Sequence, residues 1–332
     1  MIVDMHAHIF TNDAIIKLER KYKSQVPRLV IDAKGRYVTM MDGRESSPMD
    51  PMEHFYDPTK RVKLMKAEGI DMQVLSITPG NFCYDLLTDV AGALAAAQND
   101  AIAEIVRGYP DRFIGSAAVP LQDVHKSIDE LDRAVKDLGF TSVEIGSNVA
   151  GRNLDSMELW PFYEKAWKLG VPIIVHPTNN TASERTQRYY LGNVVGNPLE
   201  TTIAAGCIIF GGILDKFPGL KFCWVHGAGF LPYQIGRFDH AFDVRNEPKT
   251  NISKHPSEYL KLMYSDTITH SIHALSYLVD TMSSRNVLLG TDFPYDMGQY
   301  DIVSKINNMK SLTSEDKAFV MGENSSKLFK IK

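Results

Sequence analysis

Two histidines lie two residues apart near the N-terminus, in the run Val-Asp-Met-His-Ala-His at 3–8. In a β-strand, side chains alternate with a period of two, so His6 and His8 project to the same side. His176 ends the run Ile-Ile-Val-His-Pro, His226 ends Cys-Trp-Val-His-Gly, and Asp292 follows Leu-Leu-Gly-Thr in Leu-Leu-Gly-Thr-Asp-Phe-Pro. Each of these follows an apolar run of strand length. A single histidine at a strand end is ordinarily a hydrogen-bonded structural group, and an isolated His-x-His pair is a weak signal. Their joint occurrence with a carboxylate after a further strand points instead to a bound divalent cation. Neutral imidazoles with one carboxylate suit a borderline transition metal, with zinc the first choice and manganese the alternative. With His6, His8, His176 and Asp292 as ligands, room remains for water or substrate. His226 then serves either as a neighbouring acid or base, since its pKa suits proton transfer near neutrality, or as a further ligand.

The other histidines carry less. His54, His125, His240 and His255 have polar neighbours in predicted helices or loops and read as solvated. His270 and His273 follow a strand and border the same rim. Asp266, just after the run Met263–Ser265, is a better rim candidate.

The elements that must position these groups are short apolar runs alternating with longer segments of helical period. The runs are Ile2–Ile9, Met72–Ile77, Phe113–Val119, Ser142–Ile145, Val171–His176, Leu220–His226, Lys261–Ser265 and Asn286–Gly290. Most lack polar alternation, as expected of parallel strands buried on both faces. Helical segments lie between them at Lys60–Glu68, Leu87–Gly108, Asp123–Leu138, Asp155–Leu169, Leu199–Leu214, Gly229–Arg245 and Ser271–Met282. Asp123 and Asp155 sit at N-cap positions, and Gly139 and Gly170 at stop positions. Eight strands with interleaved helices predict a closed (β/α)8 TIM-type barrel, with a doubly wound open sheet as the alternative. The chain is read as one domain over residues 1–332, without internal repeats. Thr11–Asp57, containing Pro27, Gly35, Gly43, Pro48 and Pro51, is a long insertion after strand 1. Pro177–Gly196 is a second long segment after a strand. Both would lie at the C-terminal rim, where barrel active sites sit and where long loops tend to cover substrates. From Gln299 onward the chain reads as helices packed outside the barrel, with no part in the chemistry.

Composition narrows the partners. The chain has 332 residues, 44% hydrophobic and 23% charged, with a formal charge of −4 and no basic stripe. Nucleic acid and anionic membrane surfaces are poor partners for such a chain. Cys83, Cys207 and Cys223 are widely spaced and form no Cys-x-x-Cys pair, so buried free thiols are expected rather than a disulfide framework or a thiolate metal site. No signal-like n-region or apolar run of about 20 residues is present. A cytoplasmic location is the expectation.

The sequence resembles the amidohydrolase superfamily, in its amidohydrolase-2 branch of metal-dependent decarboxylases, which includes the aminocarboxymuconate-semialdehyde decarboxylase family. The resemblance is carried by Val-Asp-Met-His-Ala-His at 3–8, Pro-Leu-Gln-Asp at 120–123 and Pro-Ile-Ile-Val-His-Pro at 172–177. It continues with Pro-Leu-Glu-Thr at 198–201, His-Gly-Ala-Gly at 226–229, Gly-Arg-Phe-Asp at 236–239 and Leu-Leu-Gly-Thr-Asp-Phe-Pro at 288–294. These run in the family's order over nearly the whole chain. The resemblance implies a mononuclear site with His6, His8, His176 and Asp292 as ligands and His226 as the catalytic histidine beside it. Binuclear relatives carry a carbamylated lysine on strand 4; this strand reads Thr-Ser-Val-Glu-Ile-Gly-Ser. Arg237, placed at the start of the helix after strand 6, matches a family arginine that reaches a substrate carboxylate across a dimer interface. Its surface alternative is a pair with Asp239 or another carboxylate.

Two substrate-facing positions depart from the family. The first-loop arginine has no counterpart between Ser46-Ser47-Pro48 and Tyr56-Asp57-Pro58, Arg44 being displaced, and a family tryptophan before Pro198 is Asn193. The expected activity is non-oxidative decarboxylation of an aromatic or unsaturated carboxylic acid, by a homodimer acting on a small-molecule carboxylate. Asp292 or His226 would manage the proton that replaces carbon dioxide. The same constellation suits a hydrolase of a lactone or amide, or a hydratase, using metal-bound water. A non-catalytic metal site would hardly sit at an open barrel rim.

Overall fold

A computed structural model describes residues 1–41, 44, 45, 49 and 52–331. The eight short apolar runs form one parallel sheet in chain order: β1 Val3–Ile9, β2 Met72–Ile77, β3 Phe113–Ala117, β4 Ser142–Gly146, β5 Ile173–His176, β6 Phe222–Trp224, β7 Tyr264–Asp266 and β8 Val287–Leu288. The register places His8 opposite Ser76 and His176 opposite Gly146. The last strand returns to the first: Ala7 bridges Phe293, Met5 N donates to the Leu289 carbonyl (2.8 Å) and His8 N to that of Phe293 (2.7 Å). The sheet is therefore a closed barrel, and the open doubly wound alternative is set aside.

Outward-facing residues such as Leu75, Ile77, Ile173, Val175, Phe222 and Trp224 pack with the surrounding helices in the main core. Helix ends follow local chemistry. Asp57 caps Pro58–Glu68 by accepting from Thr59 N and Lys60 N, and Asp123 caps Val124–Lys136 by accepting from Lys126 N. Both satisfy donors a helix start leaves open. Gly170 closes Trp160–Leu169 at φ 62°, as predicted. Asp155 is not a cap, because a short turn over Met157–Leu159 precedes that helix. Among the described residues no helix is long and apolar enough to cross a membrane. All three cysteines are free; Cys83 and Cys223 are buried and Cys207 is partly so.

Several expectations are corrected. The seventh strand begins at Tyr264 rather than Lys261, because Pro256–Leu260 forms a short helix whose exit turn uses Lys261–Met263. The helix after β5 starts at Asn197, and one after a further turn covers Ile213–Lys216. The described part of the insertion after β1 is folded rather than irregular. Helix Asn12–Tyr22, strands Arg28–Ile31, Tyr37–Met41 and Arg44–Glu45, and helix Met52–Tyr56 make up its described part. Ile15, Leu18, Val26, Met52 and Phe55 build an apolar cluster with Val90 and Leu94 of helix Thr88–Gly108. Gly43, Pro48 and Pro51 lie outside the described residues. The C-terminal tail does not stay outside: Phe329 is buried with Met5, Val74, Ile174, Cys223 and Leu288, residues that the strand alternation turns inward.

Candidate active site

Four imidazoles and a carboxylate converge where β1, β5, β6 and β8 end. Neighbouring rings are 4.9 Å (His6–His8), 5.1 Å (His8–His176), 5.2 Å (His176–His226) and 5.3 Å (His226–His6) apart between centroids. One ligand atom from each of His6, His176, His226 and Asp292 lies within 4.8 Å of the others. His8 joins the group, its Nε2 being 3.0 Å from His6 Nε2 and 3.2 Å from Asp292 Oδ1.

The hydrogen bonds behind the rings fix which nitrogen faces inward. His6 Nδ1 lies 2.8 Å from Asp266 Oδ2, His8 Nδ1 2.8 Å from the Ile77 carbonyl, and His176 Nδ1 3.0 Å from the Pro177 carbonyl. Each Nδ1–H therefore donates outward and leaves an Nε2 lone pair for the centre, the usual arrangement behind a metal-bound histidine. His6 Nε2 is 3.4 Å from Asp292 Oδ1. Two lone pairs and a carboxylate oxygen then face one another at close range, an arrangement of acceptors that a cation resolves. The residues fit a divalent ion.

His226 differs from the other three. Its Nδ1 is buried with no hydrogen-bond partner among the described residues, and its Nε2 lies 3.5 Å from Asp292 Oδ2. Its side chain is 16% exposed where those of His6 and His8 are fully buried. His226 and Asp292 both adopt left-handed backbone, φ 55° and 58°, a conformation that costs a non-glycine residue on the order of 1–2 kcal/mol.

The charges are coupled. Burial alone would raise the Asp292 pKa, but His6, His226 and His8 around it hold it well below the carboxylate range. Burial works against a charged His226, yet the Asp292 carboxylate raises its pKa above the ordinary value. His8 is raised against burial in the same way, by Asp292 and Glu144. Burial lowers His6 and His176, keeping them neutral.

Asp266 is the most connected of the predicted rim residues. Besides His6 it accepts from the backbone of His226 (2.9 Å), Gly227 (2.8 Å) and Ile268 (3.0 Å). It thus orients one ring and the turn carrying another. Gly290 must be glycine here, since a Cβ would lie 2.8 Å from Asp266 Cβ and 3.1 Å from His6 Cβ.

A cavity of about 390 Å³ opens beside His226 and Asp292, lined also by Asn193, Asn197, Phe230, Ile268, His270 and Met297 among others. A second, of about 220 Å³, reaches His176 and is bordered by Tyr190, Tyr295 and Asp296. The segment after β5 thus reaches the site, through Pro177, Tyr190 and Asn193. No described residue of the insertion after β1 lines either cavity. Arg237 lies exposed in the middle of helix Leu231–Val244, not at its start. Among the described residues it has no ion pair, and Asp239 Oδ1 accepts instead from Ser257 N. His125 and His240 are exposed, and exposed His255 pairs with Asp243 at 2.8 Å. His54, expected in solvent, is half-buried and stacked on Phe293. His273 is exposed and lines neither cavity.

Sequence reasoning missed several groups. Tyr295 places its ring 5.5 Å from that of His8; its position just after the Asp-Phe-Pro run was the available signal. Gln299 was assigned no chemistry, yet its buried side chain accepts from His270 N at 3.0 Å. Glu144, on β4, is fully buried, and burial pushes its pKa up to about 7.

The sequence model of the amidohydrolase family matches residues 3–331. The chain belongs to the amidohydrolase family. Among its relatives is the 2-amino-3-carboxymuconate-6-semialdehyde decarboxylase of Dictyostelium discoideum, 34% identical over 97% of this chain and 90% of that protein. The gamma-resorcylate decarboxylase of a Polaromonas species is 28% identical over 82% of this amidohydrolase chain and 87% of its own. A solved dihydroxybenzoic acid decarboxylase from Polaromonas, with bound manganese and the inhibitor 2-nitroresorcinol, has the same fold. It superposes with a TM-score of 0.83 at 24% identity, covering 99% of this chain and 97% of that one.

Proposed function

We propose that this chain is a metal-dependent carboxy-lyase that removes carbon dioxide, without oxidation, from an aromatic or unsaturated carboxylic acid. The observation that carries the reading is the convergence of three Nε2 lone pairs on the Asp292 carboxylate, which lines a cavity with His226. The choice of decarboxylation over hydrolysis of a lactone or amide, or hydration, is supported by the 34% identical decarboxylase.

His6, His8, His176 and Asp292 would hold one divalent ion, zinc by the nature of the donors, with manganese as the alternative. When bound, that ion supplies positive charge against which a carboxylate or a neighbouring oxygen lodges. His226, with its free Nδ1 and its exposure to the cavity, is the proton carrier. The bond from carbon to the departing carboxyl breaks, its electron pair stays on the substrate carbon, and the proton of His226 fills that position. Asp292 keeps the ring charged until then. Solvent at the cavity mouth returns the proton. Residues 1–332 act as a single catalytic domain, in a cytoplasmic homodimer to which Arg237 contributes.

The test is to load the protein with zinc or manganese and offer carboxylated phenols, muconate derivatives and lactones, following carbon dioxide release and ring opening. Carbon dioxide should appear from an acid, stop on chelation and resume on re-addition of metal. Lactone opening with no carbon dioxide from any acid would overturn the decarboxylase.

A further inference from the structure

The cavity wall away from the ion site has an unusual composition for an enzyme acting on acids. Among the described residues, neither cavity touching His226 and Asp292 is lined by a lysine or an arginine. Val194, Pro198, Phe230, Ile268, Ala274 and Met297 make the larger one mostly apolar. Its polar groups outside the ion cluster are few, and His270 is the only one with an imidazole.

His270 is also held in place. Its backbone is left-handed at φ 54°, a strained state that persists when surroundings over-determine it. The restraint is visible. Gln299 Oε1 accepts from His270 N at 3.0 Å, and Gln299 N donates to the Thr291 carbonyl at 2.8 Å. Thr291 immediately precedes Asp292, so two hydrogen bonds tie this wall residue to the ligand-bearing turn. From the other side, Asp266 fixes the same loop through Ile268 N while orienting His6. A residue whose backbone is tied this firmly to the ligand-bearing turn, with its exposed side chain on the cavity wall, is placed for recognition.

We propose that His270 is a specificity-determining residue that hydrogen-bonds an oxygen substituent, a hydroxyl or a second carboxylate, at the end of the substrate remote from the ion. The proposal rests on the carboxylate-binding reading given above and narrows it. The substrate is a planar acid bearing a second oxygen group, and the apolar wall packs on its ring or conjugated chain.

The test uses two acids that differ only in that second group, benzoate and isophthalate, titrated calorimetrically into zinc-loaded and zinc-free protein. Wild type should bind benzoate only with zinc, and isophthalate about tenfold more tightly, the weight of one good hydrogen bond. His270→Phe keeps the ring's bulk without a polar nitrogen, and His270→Gly accepts the left-handed backbone without strain. In both variants the preference for isophthalate should fall to near one, with zinc content and benzoate binding unchanged. A preference that survives in both variants, or is absent in wild type, overturns the role of His270 alone. Failure of zinc-loaded wild type to bind either acid overturns the carboxylate site itself, and the proposal with it.

Discussion

His6, His8 and His176 each have an Nδ1 hydrogen committed to a protein oxygen, and among the described residues His226 Nδ1 has no such partner. A ring with no anchor behind it is poorly set up to hold an ion and well set up to pass a proton. His226→Asn should therefore keep most of the metal by elemental analysis while turnover falls roughly 10²–10⁴-fold. The wild-type rate should also carry a matching pH limb. The working ring is protonated, so activity falls as pH rises through its pKa, which Asp292 raises in the metal-free chain. The Asn enzyme should lack that limb, and metal loss in step with activity would make His226 a ligand. The histidines were legible because strand period and strand end suffice to place them on one rim. Arg61 was not. It sits among lysines in Pro58–Glu68 and reads as part of a solvated face, yet it is fully buried and donates to the His8 carbonyl. Nothing local distinguishes it, because its partners are carbonyls of His8 and His54 and the Gln73 side chain, brought together only by the fold.

At the scale of elements, the barrel closes between its least regular strands, and that seam carries three of the proposed ligands. β8 spans only Val287–Leu288, so side chains complete the join. Asp4 accepts from His6 N (3.1 Å), Thr291 N (3.0 Å), Thr291 Oγ1 (2.6 Å) and Gln73 Nε2 (2.9 Å). Gln73 Oε1 in turn accepts from Arg61 Nη1 at 3.1 Å. All five residues are buried, where a frustrated donor costs about 1–3 kcal/mol. Asp4→Asn turns one acceptor into a donor facing donors, and the mismatch passes along to Arg61. Thermal unfolding should show a melting point lower by roughly 1–4 °C, the shift that about 1–3 kcal/mol produces in a chain this size, and chelator competition should show zinc held about tenfold more weakly. Zinc retained with wild-type affinity would mean that the seam stabilises the barrel without aiming the ligands. Strand count and order could be read from apolar runs, because a strand buried on both faces has a local signature. The late start of β7 and the folded insertion could not, since both follow from packing against distant helices.

At the scale of the whole molecule, the described residues supply no strong cation to the cavities beside the ion site. Arg237 is exposed on an outer helix with no ion pair among the described residues. The exposed guanidinium lines neither cavity of its own chain, and it can be offered to a neighbour. The surface near it is apolar in the manner of an interface: Tyr233 is 77% exposed, and Tyr277, Phe230 and Val194 are exposed as well. Phe230 and Val194 also line the larger cavity, so a second copy covering this patch would meet the cavity mouth. Arginine grips a carboxylate through two parallel hydrogen bonds, which lysine cannot copy. Arg237→Lys should accordingly raise KM strongly for a carboxylate substrate and leave a neutral lactone little affected, while sizing chromatography gives a dimer. Mixing Arg237→Lys subunits with subunits inactivated at His226 should restore activity in the mixed dimer, because one pocket then has both an intact His226 and a partner's Arg237. A fully active monomer, or unchanged kinetics in Arg237→Lys, would remove the arginine from the site and leave His270 and the two asparagines as its polar wall.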